Sequence, residues 1–140
     1  MAIATTGSYQ NVYGGICDAY LVKFDSSGNR MWATYYGGAQ SDWATGVACD
    51  PQGNVYIGGT TQGSLTVIAT PGSQQPTYGG GAEDGFLVKF GPDGTRKWAT
   101  YVGGTGPEIT VSVACDQLGH VYIGGFTSSN TNIATPGSLM

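Results

Sequence analysis

Residues 47–59 read VACDPQGNVYIGG, and residues 113–125 read VACDQLGHVYIGG, 66 positions further on. Outward from this pair the same spacing holds. WATYYGG at 32–38 answers WATYVGG at 98–104, and DAYLVKF at 18–24 answers DGFLVKF at 84–90. Aligned without a gap, 31–60 and 97–126 share 16 of 30 residues. A further block occurs three times, as IATTGS at 3–8 and as IATPGS at 68–73 and 133–138, with a spacing of 65. Self-similarity at such a period marks a tandem duplication and predicts a repeat architecture.

Each unit holds four short apolar runs. In the second copy, GFLVKF at 85–90 leads through Gly91-Pro92-Asp93-Gly94 into RKWATYV at 96–102. ITVSVAC at 109–115 leads through Asp116-Gln117-Leu118-Gly119 into VYIG at 121–124. Turns of this composition join antiparallel strands, because Gly supplies positive φ and Asp bonds its neighbouring backbone. Two hairpins make four strands per unit. The runs are nearly continuously apolar, which predicts sheets covered on both faces. Four-stranded antiparallel sheets that bury one another are the blades of a β-propeller.

Composition agrees with an all-β chain. There are 25 glycines among 140 residues, 40% hydrophobic residues, 11% aromatic and only 10% charged. A charge-rich disordered segment is excluded, as is a helical bundle. The net charge is −4, and the five cations Lys23, Arg30, Lys89, Arg96 and Lys97 are dispersed. Nucleic acid and anionic membrane both need clustered cations, so neither is expected as a partner. No run reaches the ~18 apolar residues of a spanning helix. Residues 1–20 carry no basic segment followed by an apolar run, so no export signal is read there.

Taken together, DAYLVKF, the Trp-Ala-Thr-Tyr-x-Gly-Gly stretch, VACDPQGNVYIGG and IATPGS resemble the bacterial SBBP-type β-propeller repeat, a relative of the NHL repeat, in two units from Asp18 to about Ser138. The resemblance implies a propeller of the kind found on large secreted or cell-surface bacterial proteins, and it carries no catalytic signature. It places inner strands A at 43–49 and 109–115, strands B at 55–58 and 121–124, strands C at 20–24 and 86–90, and strands D at 31–36 and 97–102. Residues 1–140 then form one repeat domain. Residues 18–36 supply strands C and D of a shared blade, 43–102 a complete blade with a long B–C loop at 60–84, and 109–127 strands A and B of another shared blade.

This order leaves two unpaired edges. Tyr20, Val22 and Phe24 line one, and Val121, Tyr122 and Ile123 line the other. Bare edges are templates for strand addition. Two blades do not close a ring, so the partner expected is a second copy of the chain. Head-to-tail pairing closes when the rotation divides the circle. Three chains give six blades, the preferred homotrimer, and four give eight, a homotetramer. The same division suits a natural self-assembling protein, an excised fragment of a longer propeller, or an engineered repeat.

Catalytic chemistry is not legible, and the chain is expected not to be an enzyme. His120 is the lone histidine, follows a turn glycine and stands where the first copy has Asn54. Asp25, Asp50, Asp93 and Asp116 sit one to a turn, as backbone caps and not as a converging calcium set. Glu83-Asp84 is answered only by Cys17-Asp18, so no repeated metal site is read and no cofactor is expected. Cys17, Cys49 and Cys115 fit no zinc spacing. Cys49 and Cys115 share a strand position and are expected to be small buried residues. Trp32 and Trp98 repeat and are expected between blades, whereas Trp43 does not repeat. An exposed Trp43 could stack on a sugar, and a multivalent carbohydrate-binding, lectin-like propeller is therefore the alternative function. The identity of any small-molecule or glycan ligand is not legible.

Overall fold

Four tight turns organise the chain. In the computed structural model, which describes residues 3–63 and 68–138, Gly28, Gly53, Gly94 and Gly119 all take φ near +80°. Only glycine adopts that conformation without strain. In three of the turns an aspartate accepts two backbone N–H bonds through Oδ1. Asp25 takes those of Ser27 and Asn29, Asp50 those of Gln52 and Asn54, and Asp116 those of Leu118 and His120. The turn with Gly91 in that place instead uses Asp93, which accepts from the Thr95 amide and hydroxyl.

Among the described residues these turns join eight antiparallel strands: β1 (Ala19–Phe24), β2 (Arg30–Tyr36), β3 (Asp42–Cys49), β4 (Val55–Thr61), β5 (Asp84–Phe90), β6 (Arg96–Val102), β7 (Glu108–Cys115) and β8 (Val121–Thr127). They form a two-stranded sheet β1-β2, a four-stranded sheet β3-β4-β5-β6, and a two-stranded sheet β7-β8. The four-stranded sheet is closed in its middle by β4 against β5, from Val55 opposite Phe90 to Thr61 opposite Asp84. Bulges repeat with the sequence, at Lys23/Phe24 and Lys89/Phe90, and at Ala44/Gly46 and Thr110/Ser112. Eight antiparallel strands in repeated small sheets are the all-β, propeller-like architecture that the repeat implies. Among the described residues no helix is long and apolar enough to cross a membrane.

The core lies between the first and second sheets. Tyr36 packs against Phe86 and Phe90 with ring centroids 5.5 and 5.9 Å apart, and Trp32 against Phe90 at 6.2 Å. Phe86, Phe90, Val88, Ile57 and Ile68 are fully buried around them. The third sheet docks on the second through small residues. A Cβ at Gly46 would sit 2.8 Å from the Val113 nitrogen, and one at Gly58 would sit 2.6 Å from the Val113 methyl. The Thr45 hydroxyl donates to the Thr110 carbonyl at 2.6 Å, and the Thr110 amide donates to the Thr60 hydroxyl at 3.2 Å.

The IAT blocks explain the long loop. Part of it, residues 64–67, lies outside the described residues. From Ile68 the chain returns along the free edge of β6, where the Thr70 amide donates to Ala99 and the Tyr101 amide to Gln75. The first block does the same on β2, from Thr5 to Ala33 and from Tyr35 to Gln10.

Candidate functional site

The residues set apart by exposure are those of the two open edges. Tyr56 is 1% exposed in β4, and its counterpart Tyr122 in β8 is 56% exposed. Phe86 and Phe90 in β5 are fully buried, whereas their counterparts Tyr20 and Phe24 in β1 are 58% and 57% exposed. Val22, Val121 and Ile123 are half-buried on the same edges. Two kinds of neighbour account for this. Tyr56 packs on Lys89 and Trp98 of the strands paired beyond it, and Phe86 and Phe90 pack on Trp32 and Tyr36 of the preceding sheet. Among the described residues, by contrast, β8 has no strand C beside it, and β1 has neither a strand B beside it nor a sheet stacked before it. The two sets of edge residues lie on separate sheets within one chain.

The flanking faces are apolar too. Trp43 and Val47 on β3, and Ile109, Val111 and Phe126 on β7 and β8, are all exposed. Trp43 lines a cleft of about 780 Å³ between β1 and β3, shared with Tyr20, Leu21, Val22, Val47 and Ile57.

The hairpin turns carry a second repeated arrangement. The Tyr56 hydroxyl and the Asn54 amide donate to Asp50 Oδ2, and Lys89 lies 3.8 Å from the same oxygen and over the Tyr56 ring. In β7–β8 the Tyr122 hydroxyl donates to Asp116 Oδ2, and His120 Nδ1 takes the place of the Asn54 amide at 2.7 Å from it. His120 is thus a turn residue. Burial would raise the Asp116 carboxyl, but bonds from His120, Tyr122 and Leu118 outweigh it and hold it at about 2.

A third arrangement was missed by reading local motifs. Asp18 at the foot of β1 faces Asp42 of β3, and Asp84 of β5 faces Glu108 of β7. Oxygens of Asp18 and Asp42 lie 2.9 and 2.7 Å from the point a Cβ on Gly37 would occupy, and oxygens of Asp84 and Glu108 both lie 2.7 Å from the same point on Gly103. All four carboxylates are buried. Backbone amides hold them: Gly14 on Asp18, Gly38 on Asp42, Gly79 on Asp84 and Gly104 on Glu108, at 2.6 to 2.9 Å. Burial, with the charge of Glu108 added, pushes Asp84 up to about 6. Burial likewise raises Asp42, beside Asp18. Glu108 is lowered because the Ser129 and Thr127 hydroxyls and the Gly104 amide outweigh its burial. The detectable signal was acid answering acid across two copies, at 18 and 84 and at 42 and 108. Among the described residues no group of three or more His, Cys, Asp or Glu is placed to hold a metal ion.

Two smaller expectations need amendment. Cys49 is exposed and Cys115 half-buried, because they end inner strands that carry no neighbour on their free side. Trp32 is buried between sheets and donates its indole N–H to the Pro92 carbonyl, but Trp98 is half-buried and packs on Tyr56 of its own sheet.

Comparison with known proteins agrees with this architecture. Residues 32–65 match the SBBP family model, described as a beta-propeller repeat. The chain is similar to an uncharacterized WD repeat-containing protein of Acanthamoeba polyphaga mimivirus, with 28% identity over 83% of this chain and 10% of that protein. It is also similar to the regulatory protein FlaEY of Caulobacter vibrioides, with 34% identity over 55% of this chain and 7% of that protein. The chain spans a tenth or less of the length of these relatives.

Proposed function

We propose that this β-propeller repeat module acts by self-association, β8 of one copy pairing with β1 of the next to complete a shared blade. The observation that carries the reading is the exposure of Tyr122, whose counterpart Tyr56 is buried under Lys89 and Trp98 of the strands paired beyond it, together with that of Tyr20 and Phe24, whose counterparts Phe86 and Phe90 are buried against the preceding sheet, a neighbour that head-to-tail assembly would supply. The pairing pattern is the one between β4 and β5. Transposed by one repeat, it sets Val121 opposite Phe24 and Ile123 opposite Val22.

Charge complements shape. In the complete blade Lys89 approaches Asp50. Their counterparts across the proposed junction are Lys23 of one copy and Asp116 of the other. The cleft between β1 and β3 is where an A–B hairpin would lie, as β3 and β4 lie against β7. The exposed Trp43, Val47, Val111 and Phe126 are then covered at one interface. In a longer polypeptide, the neighbouring repeat supplies the same hairpin. Three copies close six blades, the preferred homotrimer, and four close eight. The proposed role is assembly and display of a binding surface, not catalysis.

Native mass spectrometry tests this. The expected species is a discrete trimer or tetramer of the 14.4 kDa chain. A monodisperse, cooperatively melting monomer at tens of micromolar overturns it.

A further inference from the structure

The third IAT block has no strand D to bind among the described residues of its own chain. Each block makes the same turn, with Ser8 donating to Thr5, Ser73 to Thr70 and Ser138 to Thr135, at 3.1 to 3.2 Å. The glycine at the third position, Gly7, Gly72 or Gly137, has φ near +80° in all three. Two of the blocks then bind a strand D. The Thr70 amide and hydroxyl both reach the Ala99 carbonyl, at 2.9 and 3.1 Å, and those of Thr5 reach Ala33 at the same distances. For residues 133–138 the described residues offer no further strand D.

The other half of the seat is already present. Ile68 is fully buried, and its carbonyl accepts from the hydroxyl of Tyr36, which belongs to the preceding sheet. The counterpart of Tyr36 is Val102, and Ile133 lines a pocket with Val102, Ile123 and Phe126. The third block is therefore positioned beside the preceding blade, its turn formed and Ile133 still 41% exposed.

At a head-to-tail junction, on which this inference rests, the next copy brings one strand D, its β2. Its outer edge is held by that copy's own residues 3–8. Two near-identical segments then contend for one seat at Ala33. They differ at a single residue, Thr6 against Pro136. That residue precedes the positive-φ glycine of the turn, where Pro pre-sets φ and suits a type II geometry. A proline compatible with the bound conformation lowers the entropy lost on ordering. We infer that residues 133–138 of one copy displace residues 3–8 of the next from the edge of β2, so that the junction is latched by an exchanged Ile-Ala-Thr-Pro-Gly-Ser segment. The proline bias is worth about two- to fivefold in the exchange equilibrium.

Hydrogen exchange reads the latch directly. In the separate chain the Thr5 amide is bonded to Ala33 and the Thr135 amide has no partner among the described residues. In the oligomer, protection is expected to rise in 133–138 and to fall in 3–8. P136T should weaken the reversal two- to fivefold, and T6P should oppose it by a similar factor. A tandem fusion of two copies makes the junction intramolecular, so the same protection is read even if separate chains fail to associate. A monomeric chain overturns the assembly reading alone. A fusion or an oligomer in which 3–8 stay protected and 133–138 stay open overturns the latch alone.

Discussion

The indole N–H of Trp32 donates to the carbonyl oxygen of Pro92, 60 residues away, at 2.9 Å. This bond ties the first hairpin to the turn of the complete blade. The Lys23 ammonium reaches the same oxygen at 3.0 Å. The approach is possible because residue 94 is glycine: a Cβ there would lie 2.8 Å from the Trp32 ring, and its φ is +85°.

Gly94→Ala should therefore destabilise the chain by about 2 kcal/mol, combining left-handed strain with a collision against a buried ring. Trp32→Phe keeps much of the ring but loses the hydrogen bond, and should cost about 1 kcal/mol. Urea unfolding followed by tyrosine fluorescence measures both. Equal, near-zero effects would mean that the two sheets do not pack through this contact.

The Asp84 carboxyl gives a pH signature. Its affinity for a proton is higher in the folded chain, with a value of about 6 against 3.8 for a free aspartate. Its contribution is thus fully present below pH 3.8 and is lost as pH rises through 6. Relative to Asp84→Asn, which keeps an acceptor for the Gly79 amide, the native chain should lose roughly 1 kcal/mol between pH 4 and 7, after discounting for solvent screening. The lowered carboxyls, Asp50, Asp116 and Glu108, act in the opposite sense but at more acid pH. The difference between variant and native melting curves isolates Asp84. A difference that does not change over that range would refute the assignment.

The strands were legible because each hairpin carries its own turn chemistry, an aspartate and a positive-φ glycine, flanked by β-branched and aromatic residues. The period was legible for the same reason. The carboxylate pairs were not. Asp18 and Asp42 come from different sheets and meet only when the sheets stack, so no local motif announces them. Cys49 and Cys115 were misjudged because an apolar strand pattern reports a face that stacking could cover, not whether it is covered. The return of the IAT blocks to strand D also left no hydropathy signal, since the bonds that seat them come from backbone amides and threonine hydroxyls.

Ser112 occupies the position of Gly46 one repeat later. In the chain Gly46 lets Val113 pack against bare backbone. At the proposed junction Ser112 would meet Val47 of the next copy in the same way, and its side chain must be accommodated. Ser112→Gly should tighten association severalfold, at a cost of a few tenths of a kcal/mol or more to the isolated chain from strand entropy. Sedimentation equilibrium gives the first quantity and urea unfolding the second. Weaker association of the variant would show that β7 does not face β3 of another copy.

The last prediction separates strand pairing from any other mode of association. In the complete blade Lys89 of β5 approaches Asp50 in the turn that leads into β4, and their counterparts are Lys23 on the open β1 and Asp116 in the turn that leads into the open β8. If β8 pairs with β1 in the register of β4 with β5, Lys23 leaves Pro92 and approaches Asp116, which the Tyr122 hydroxyl and His120 already orient. Lys23→Glu then sets like charges together, as does Asp116→Lys. Each should weaken association about tenfold, because opposed like charges across a strand pair are destabilising and desolvation by the neighbouring strand sharpens the effect. Asp116→Lys also removes a turn cap, so its folding stability must be measured beside its association. The double variant reverses the pair and should recover most of the affinity lost by Lys23→Glu, even though it retains the turn defect. Recovery of that kind requires the two positions to be neighbours between copies, since they lie on separate sheets within one chain. Additive losses in the double variant, measured by sedimentation at low and high salt, would exclude the β8–β1 register while leaving the fold of the single chain untouched.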